Sequence, residues 1–225
     1  KIKYSVENEK IKPDFFFLIP SLVINAPNKI KSSSGFDAIA QALESLISKR
    51  SNTKSKNFAK KSLEISLKYY LEFLKNPNND NTSAMCLAAN LAGKAINISK
   101  TTAPHAVSYP FTSLFNISHG HAVSLTLNKF LKFNYKYMSL SNCDFNLKER
   151  YNLIFRLTGS ENINYLDQFL VNIKKKAGLE QNFNKLKINI SRSYPKILSA
   201  INDQRLANNP IKLKKKDIKK ILLND

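Results

Sequence analysis

The stretch "SSSGFDAIAQALESLISKR", residues 32–50, has the apolar spacing of an amphipathic helix, with serines able to cap its start. Its apolar residues recur at i, i+3 and i+4: Phe36, Ile39, Ala40, Leu43, Leu46 and Ile47. The same periodicity returns over 55–77, 82–99, 121–134, 147–159, 162–179 and 214–225. The sequence therefore predicts a mainly α fold from Ser32 onward.

The first thirty-one residues have a different pattern. "KYSVENEKIKPDFFFLIPSLV", residues 3–23, combines a polar segment, a dense aromatic run and two prolines, which predicts one or two strands ending in a turn. A strand needs partners for its backbone groups and a cover for its aromatic face. We therefore expect this segment to follow an earlier part of a longer protein.

Charge and composition narrow the classes of partner. The 225 residues have a formal net charge of +20, but arginine stands only at positions 50, 150, 156, 192 and 205, so 31 of the 36 basic residues are lysine. Scattered lysines favour a solvated surface over a nucleic-acid interface, in which base-reading arginines cluster. The basic runs at 174–176 and 212–220 are typical of exposed helix faces.

The cysteines and the hydropathy pattern indicate the cellular compartment in which the protein is expected. Cys86 and Cys143 lie far apart in sequence with no CxxC spacing, and no apolar run reaches the eighteen or so residues of a membrane span. Neither a signal peptide nor a membrane segment is recognisable. We expect a soluble, cytoplasmic protein.

Polar side chains in two regions suggest a chemical centre. Asp37 and Gln41 are four residues apart and share one helical face, while His105 and His119 flank a turn and can converge from two elements. A carboxylate with two imidazoles is a ligand set for zinc or ferrous iron. From the residues alone, a helix-start Asp and two ordinary histidines remain open as the alternative.

"SGFDAIAQALESLIS" followed by "APHAVSYPFTSLFNISHGHAVSL" resembles the metal-binding half of the iron-containing (group III) alcohol dehydrogenases. That family has a Thr-Gly-x-Asp-Ala-x-x-His helix, then His-x-x-x-His, and a His-Gly pair ten residues later. The resemblance implies that Asp37, His105 and His119 are metal ligands, the metal being Fe2+ or Zn2+. Gln41 stands in place of a fourth, histidine ligand, and is a weak ligand or none.

The resemblance also implies roles for residues outside the ligand set. Tyr109 occupies the second histidine position of His-x-x-x-His, where it could hydrogen-bond the substrate oxygen or donate a proton to it. His121 is expected beside the site or facing the substrate. Lys3 stands where the family has a lysine near the nicotinamide ribose, with an exposed terminal lysine as its alternative reading.

The family resemblance predicts two domains and a nicotinamide cofactor. With 5 glycines and no GGGS or GxGxxG, the chain has no loop for the pyrophosphate of NAD(P)H. Residues 1–31 are then the last strands of a truncated N-terminal α/β nucleotide-binding domain, and residues 32–225 are an all-helical metal-binding catalytic domain. A homodimer is a further expectation.

The local sequence narrows the expected substrate. "SKTTAPHAVSYPFTS" and "SHGHAVSL" look most like the phosphonoacetaldehyde reductase branch of the family, which makes 2-hydroxyethylphosphonate. Lys100, Thr101 and Thr102 offer a charge and two hydroxyls suited to a phosphonate, although a solvated loop with a capping Thr is equally open. The alternatives are a general short-chain alcohol dehydrogenase and an inactive interaction module.

Overall fold

Helices carry nearly all the regular structure of residues 8–223, the part of the chain that this computed structural model describes. Two short 3-10 turns, Glu9–Ile11 and Met138–Leu140, accompany them. In chain order the helices are α1 Ser21–Ile24, α2 Asn28–Ile47, α3 Thr53–Lys75, α4 Asn79–Ser99, α5 Ala103–Phe115, α6 His119–Lys136, α7 Leu147–Thr158, α8 Ile163–Lys176, α9 Ile190–Ser199, α10 Asp203–Leu206 and α11 Lys215–Leu223. The mainly helical fold predicted from the sequence is confirmed.

Helix α2 lies at the centre of the domain. It packs against α3, α4, α6 and α7, and most of its side chains are buried. Phe36, Ile39 and Leu43 are fully excluded from solvent. A helix that is covered on several sides must be apolar on several sides, which explains why residues 36–47 are so rich in Ala, Ile and Leu.

Local capping sets where the next two helices begin. Asn52 caps α3 and Asn78 caps α4, each accepting a hydrogen bond from the backbone three residues later. In both cases the side chain of that later residue accepts a hydrogen bond from the backbone N–H of the cap, which completes a capping box. The two helices therefore begin at Thr53 and Asn79, slightly earlier than the sequence periodicity indicates.

A second apolar cluster joins the C-terminal helices to α5 and α6. Val107 and Phe111 of α5 meet Ile197 of α9 and Ile218 of α11 in this cluster. A separate, larger cluster surrounds α2. Helices α5 and α6 connect these two regions, since α6 also packs on α2.

The predicted N-terminal strand is wrong for the residues that can be compared. Residues 8–31 contain no strand, and α2 begins at Asn28 rather than at Ser32. Pro13 and Pro20 lack the backbone N–H that a strand ladder requires, and Phe15 and Phe17 project into solvent rather than onto a neighbouring strand. Pro27 stands at the N-cap of α2, and its carbonyl accepts the first helical hydrogen bonds.

None of the helices within residues 8–223 combines the length and the apolar character needed to cross a membrane.

One glycine allows α6 to approach α2 closely. A Cβ placed on Gly120 would lie 2.0 Å from the backbone oxygen of Ser33 and 2.9 Å from Cβ of Asp37. Only a residue without a side chain fits against a carbonyl at this distance. The same contact brings the adjacent His119 next to Asp37.

Replacing Gly120 by Ala is expected to lower the free energy of unfolding by at least about 2 kcal/mol, because the added methyl group meets backbone that no rotamer change can move. Gly93→Ala is the matched control: a Cβ there meets nothing within 4 Å, and α4 gains helix propensity worth about 1 kcal/mol. Urea unfolding measures both. Equal stability of the two variants would contradict the close approach of α6 to α2.

Candidate metal centre

Three side chains from three helices converge on one point. Asp37 comes from the first half of α2, His105 from the first turn of α5, and His119 is the first residue of α6. His105 Nε2 lies 3.3 Å from Asp37 Oδ1, and His119 Nε2 lies 4.0 Å from the same oxygen. Their ligand atoms all lie within 4.8 Å of one another, and the two imidazole rings meet edge to face with centroids 5.2 Å apart.

Two of the facing atoms of this cluster are buried without a hydrogen bond. Among residues 8–223, neither Asp37 Oδ1 nor His105 Nε2 has a hydrogen-bond partner, although both atoms are excluded from solvent. Buried polar atoms are costly unless they are satisfied. A carboxylate oxygen and imidazole nitrogens aimed at one point fit a divalent Fe2+ or Zn2+, with a position left for another ligand.

Glu44 binds Nδ1 of His105, the ring nitrogen on the side away from Asp37. This residue was not identified from the sequence. Its side chain is completely buried on α2, seven residues after Asp37. His105 Nδ1 donates to Glu44 Oε1, while the backbone N–H and the hydroxyl of Thr102 donate to Oε2 at 2.7 and 2.8 Å. A carboxylate on Nδ1 fixes the imidazole with Nε2 toward a metal. The available signal was a lone charge within the apolar run of α2.

The charges of the cluster alter its protonation. Burial acts to lower the pKa of His105, but the charge of Glu44 and the contact with Asp37 raise it to about 9. Burial acts to raise the pKa of Asp37, but His105, His119 and Gln41 hold it below its usual value. Both shifts favour the charged forms of Asp37 and His105, whose facing atoms lie 3.3 Å apart.

Gln41 and His121 make contacts of their own. Gln41 Nε2 donates to Asp37 Oδ2 at 2.7 Å, which orients the carboxylate and leaves Oδ1 facing the histidines. The His121 ring is directed to the carbonyl of Glu180, 2.7 Å from Nε2, and its backbone N–H donates to the Ser33 hydroxyl. Gln41 therefore lies at the cluster, whereas the His121 ring reaches the loop after α8.

Tyr109 lies one helical turn after His105 and faces the cluster. Its ring centroid is 5.8 Å from that of His119, and the side chain is nearly buried. The guanidinium carbon of Arg205 also lies 5.8 Å from the centre of the Tyr109 ring. Arg205 is about a hundred residues away in the chain, and no sequence pattern connected it with this site.

The residues expected to bind the substrate have unequal exposure. Thr101 and Thr102 are fully buried, with their hydroxyls engaged by Arg205 and Glu44, so they reach a ligand only through those neighbours. Lys100 is partly exposed at the C-terminal end of α4. Lys3 lies outside the described residues.

The sequence matches a known family over most of its length. The profile described as "Fe-containing alcohol dehydrogenase family, C-terminal" matches residues 31–225. The chain belongs to this family. The resemblance seen in the helix and histidine motifs is thereby confirmed.

Curated relatives within the Fe-containing alcohol dehydrogenases cover a part of the chain. A phosphonoacetaldehyde reductase of Streptomyces viridochromogenes is 27% identical over 135 residues, which are 59% of this chain and 34% of that protein. The 1-propanol dehydrogenase PduQ of Salmonella typhimurium is 29% identical over 134 residues, 59% of this chain and 36% of that protein. The matched part thus spans about a third of each relative.

Solved structures share the fold. A sulfoacetaldehyde reductase from Bifidobacterium kashiwanohense in complex with NAD+ superposes with a TM-score of 0.79 at 24% identity, over 92% of this chain and 54% of that one. An iron-containing alcohol dehydrogenase from Thermococcus thioreducens gives 0.85 at 20% identity, over 96% and 55%. The chain corresponds to about half of each structure.

The protonation of His105 predicts a pH-dependent metal affinity. Since a bound metal must displace the proton from Nε2, the association constant for Zn2+ should rise by about tenfold per pH unit from pH 7 and level off near pH 9. Competition with a chelating dye measures it. A constant affinity between pH 6.5 and 9 would contradict this assignment.

Glu44→Gln tests the support behind His105. The loss of charge and of one acceptor should weaken Zn2+ binding by about 10- to 100-fold at pH 9. Glu72→Gln, on the exposed side of α3, is the matched control and should leave the affinity unchanged.

Proposed function

We propose that the chain is the metal-binding half of an NAD(P)H-linked aldehyde reductase, equally an alcohol dehydrogenase in the reverse direction. The observation that carries the proposal is the convergence of Asp37, His105 and His119, in which Asp37 Oδ1 and His105 Nε2 are buried without a hydrogen bond. Membership of the Fe-containing alcohol dehydrogenase family supports the reaction class.

In this proposal Asp37, His105 and His119 hold Fe2+ or Zn2+, and Gln41 orients Asp37 or adds a weak fourth ligand. A bound ion supplies Lewis-acid polarisation of the carbonyl oxygen. Glu44 keeps the His105 imidazole in the required tautomer, and the near-complete burial of His105 and Tyr109 limits the access of water to the centre.

A bound NAD(P)H would supply the hydride for the carbonyl carbon, and the carbonyl oxygen would then need a proton from the protein. Tyr109 is the proposed proton donor, because its ring is 5.8 Å from His119 and it stands one turn from His105. His121, directed to Glu180, contributes to catalysis through the position of the α6 N-terminus, where its backbone N–H binds Ser33.

We propose that the cofactor is bound by a nucleotide-binding segment outside these 225 residues, because the sequence has no glycine-rich loop for a pyrophosphate. Lys3 remains the proposed contact to the nicotinamide ribose. Phe15 and Phe17, each more than four-fifths exposed beside the start of the domain, supply apolar surface for such a segment to cover.

For the substrate we propose phosphonoacetaldehyde, and the second candidate is a neutral short-chain aldehyde. The first is supported by the relative from Streptomyces viridochromogenes and by the cationic Lys100 close to α5. The second is supported by the similar identity to the 1-propanol dehydrogenase.

Turnover by the full-length protein tests the proposed function. Consumption of NADH or NADPH with phosphonoacetaldehyde or propanal should stop after chelation, return with Fe2+ or Zn2+, and fall by at least about a thousandfold in His119→Ala. Asp144→Asn, an exposed carboxylate far from α2 in sequence, is the control. A metal-loaded protein that oxidises neither cofactor with either aldehyde would contradict the proposal.

A further inference from the structure

One cavity of the structure includes Arg205 in its lining. It has a volume of about 830 Å³ and lies between the N-terminal residues 8–16, helix α4 and helix α10. Its lining combines apolar groups such as Ile11 and Ile96 with four cations, Lys12, Lys94, Lys100 and Arg205, and one carboxylate, Asp14. The excess of positive charge favours an anionic ligand.

Arg205 links this cavity to the metal cluster. Its Nη1 donates to the Thr101 hydroxyl at 2.6 Å, and its guanidinium faces the Tyr109 ring at 5.8 Å. The Tyr109 ring is in turn 5.8 Å from the His119 ring. The Tyr109 ring therefore lies within 5.8 Å of both the His119 ring and the Arg205 guanidinium.

The backbone around Arg205 is tied to the helix that carries His105. Asn202 caps α10 by accepting from the Arg205 N–H at 2.9 Å, and its own N–H donates to the Ala106 carbonyl. The Asn208 amide donates to the carbonyls of Ser99 and Thr101 at 2.7 and 2.9 Å. These bonds fix α10 relative to the start of α5, which preorganises the guanidinium.

The turn between α4 and α5 holds Lys100 in a costly conformation. Its φ of 59° and ψ of 172° fall in a region that is almost restricted to glycine. Such strain persists where the surrounding structure enforces it and is concentrated at functional sites. Lys100 thereby lies on the same cavity wall as Arg205.

We propose that Arg205 binds the anionic group of the substrate and so selects aldehydes that carry a phosphonate, sulfonate or carboxylate one or two carbons from the carbonyl. The inference rests on the proposed function for the position of the carbonyl. A guanidinium presents five N–H donors in a planar fork that matches an oxyanion, which a lysine ammonium does not reproduce. Thr101 is the positioning residue, because its buried hydroxyl accepts from Nη1.

Anion binding tests the site without turnover. Calorimetric titration of the full-length protein with methylphosphonate should give saturable binding that weakens by at least about tenfold in Arg205→Met, the loss expected for a charge-assisted hydrogen bond. Arg192→Met removes the same charge from the exposed face of α9 and should bind as the wild type does. Equal binding by the wild type and Arg205→Met, or equal weakening in both variants, would overturn the inference.

Kinetics test the selectivity. In Arg205→Met, kcat/KM for phosphonoacetaldehyde should fall at least about tenfold more than kcat/KM for propanal, chiefly through KM, and Arg205→Lys should restore only part of the loss. An equal fall for both aldehydes would assign Arg205 a structural role and overturn the inference.

The two sets of results separate the inference from the proposed function. Methylphosphonate binding that depends on Arg205, in a metal-loaded protein that reduces no aldehyde, would refute the proposed function while leaving the anion site in place. Turnover of propanal together with methylphosphonate binding that does not need Arg205 would refute the anion site alone.

Discussion

The buried carboxylate of Glu44 is the constraint on which the candidate centre depends. A charge with no solvent exposure is tolerated only where partners surround it. The partners of Glu44 are the His105 imidazole and Thr102, the residue immediately before α5. The pairing joins α2 to the start of α5 and turns His105 Nε2 toward Asp37. Removal of the carboxylate would leave both the helix junction and the imidazole without their support.

The close contact at Gly120 supplies the third member of the cluster. Because the backbone of α6 approaches Ser33 so closely, His119 lies beside Asp37, with its Nε2 4.0 Å from Asp37 Oδ1. Two independent features, the buried ion pair of Glu44 with His105 and the absence of a side chain at Gly120, therefore set the geometry of the cluster. Arg205 is attached to the same junction through Thr101, so the proposed substrate-binding cation and the proposed metal ligands share one framework.

Periodicity predicted most helices, and motif resemblance predicted Asp37, His105 and His119, because both signals lie within short stretches of sequence. Glu44 and Arg205 were missed because their partners are 58 to 104 residues away and become neighbours only on folding. The strand prediction failed for a related reason: an aromatic run resembles a strand locally, but residues 8–31 have no neighbouring strand to pair with. The domain division at residue 31 stays a prediction.

The central claim is that Asp37, His105 and His119 bind one metal ion. Anomalous diffraction at the zinc edge, from crystals of the full-length protein grown with Zn2+, tests it most directly. We predict a peak about 2 Å from Asp37 Oδ1, His105 Nε2 and a ring nitrogen of His119. A peak held by other residues, with none between these three side chains, would contradict it.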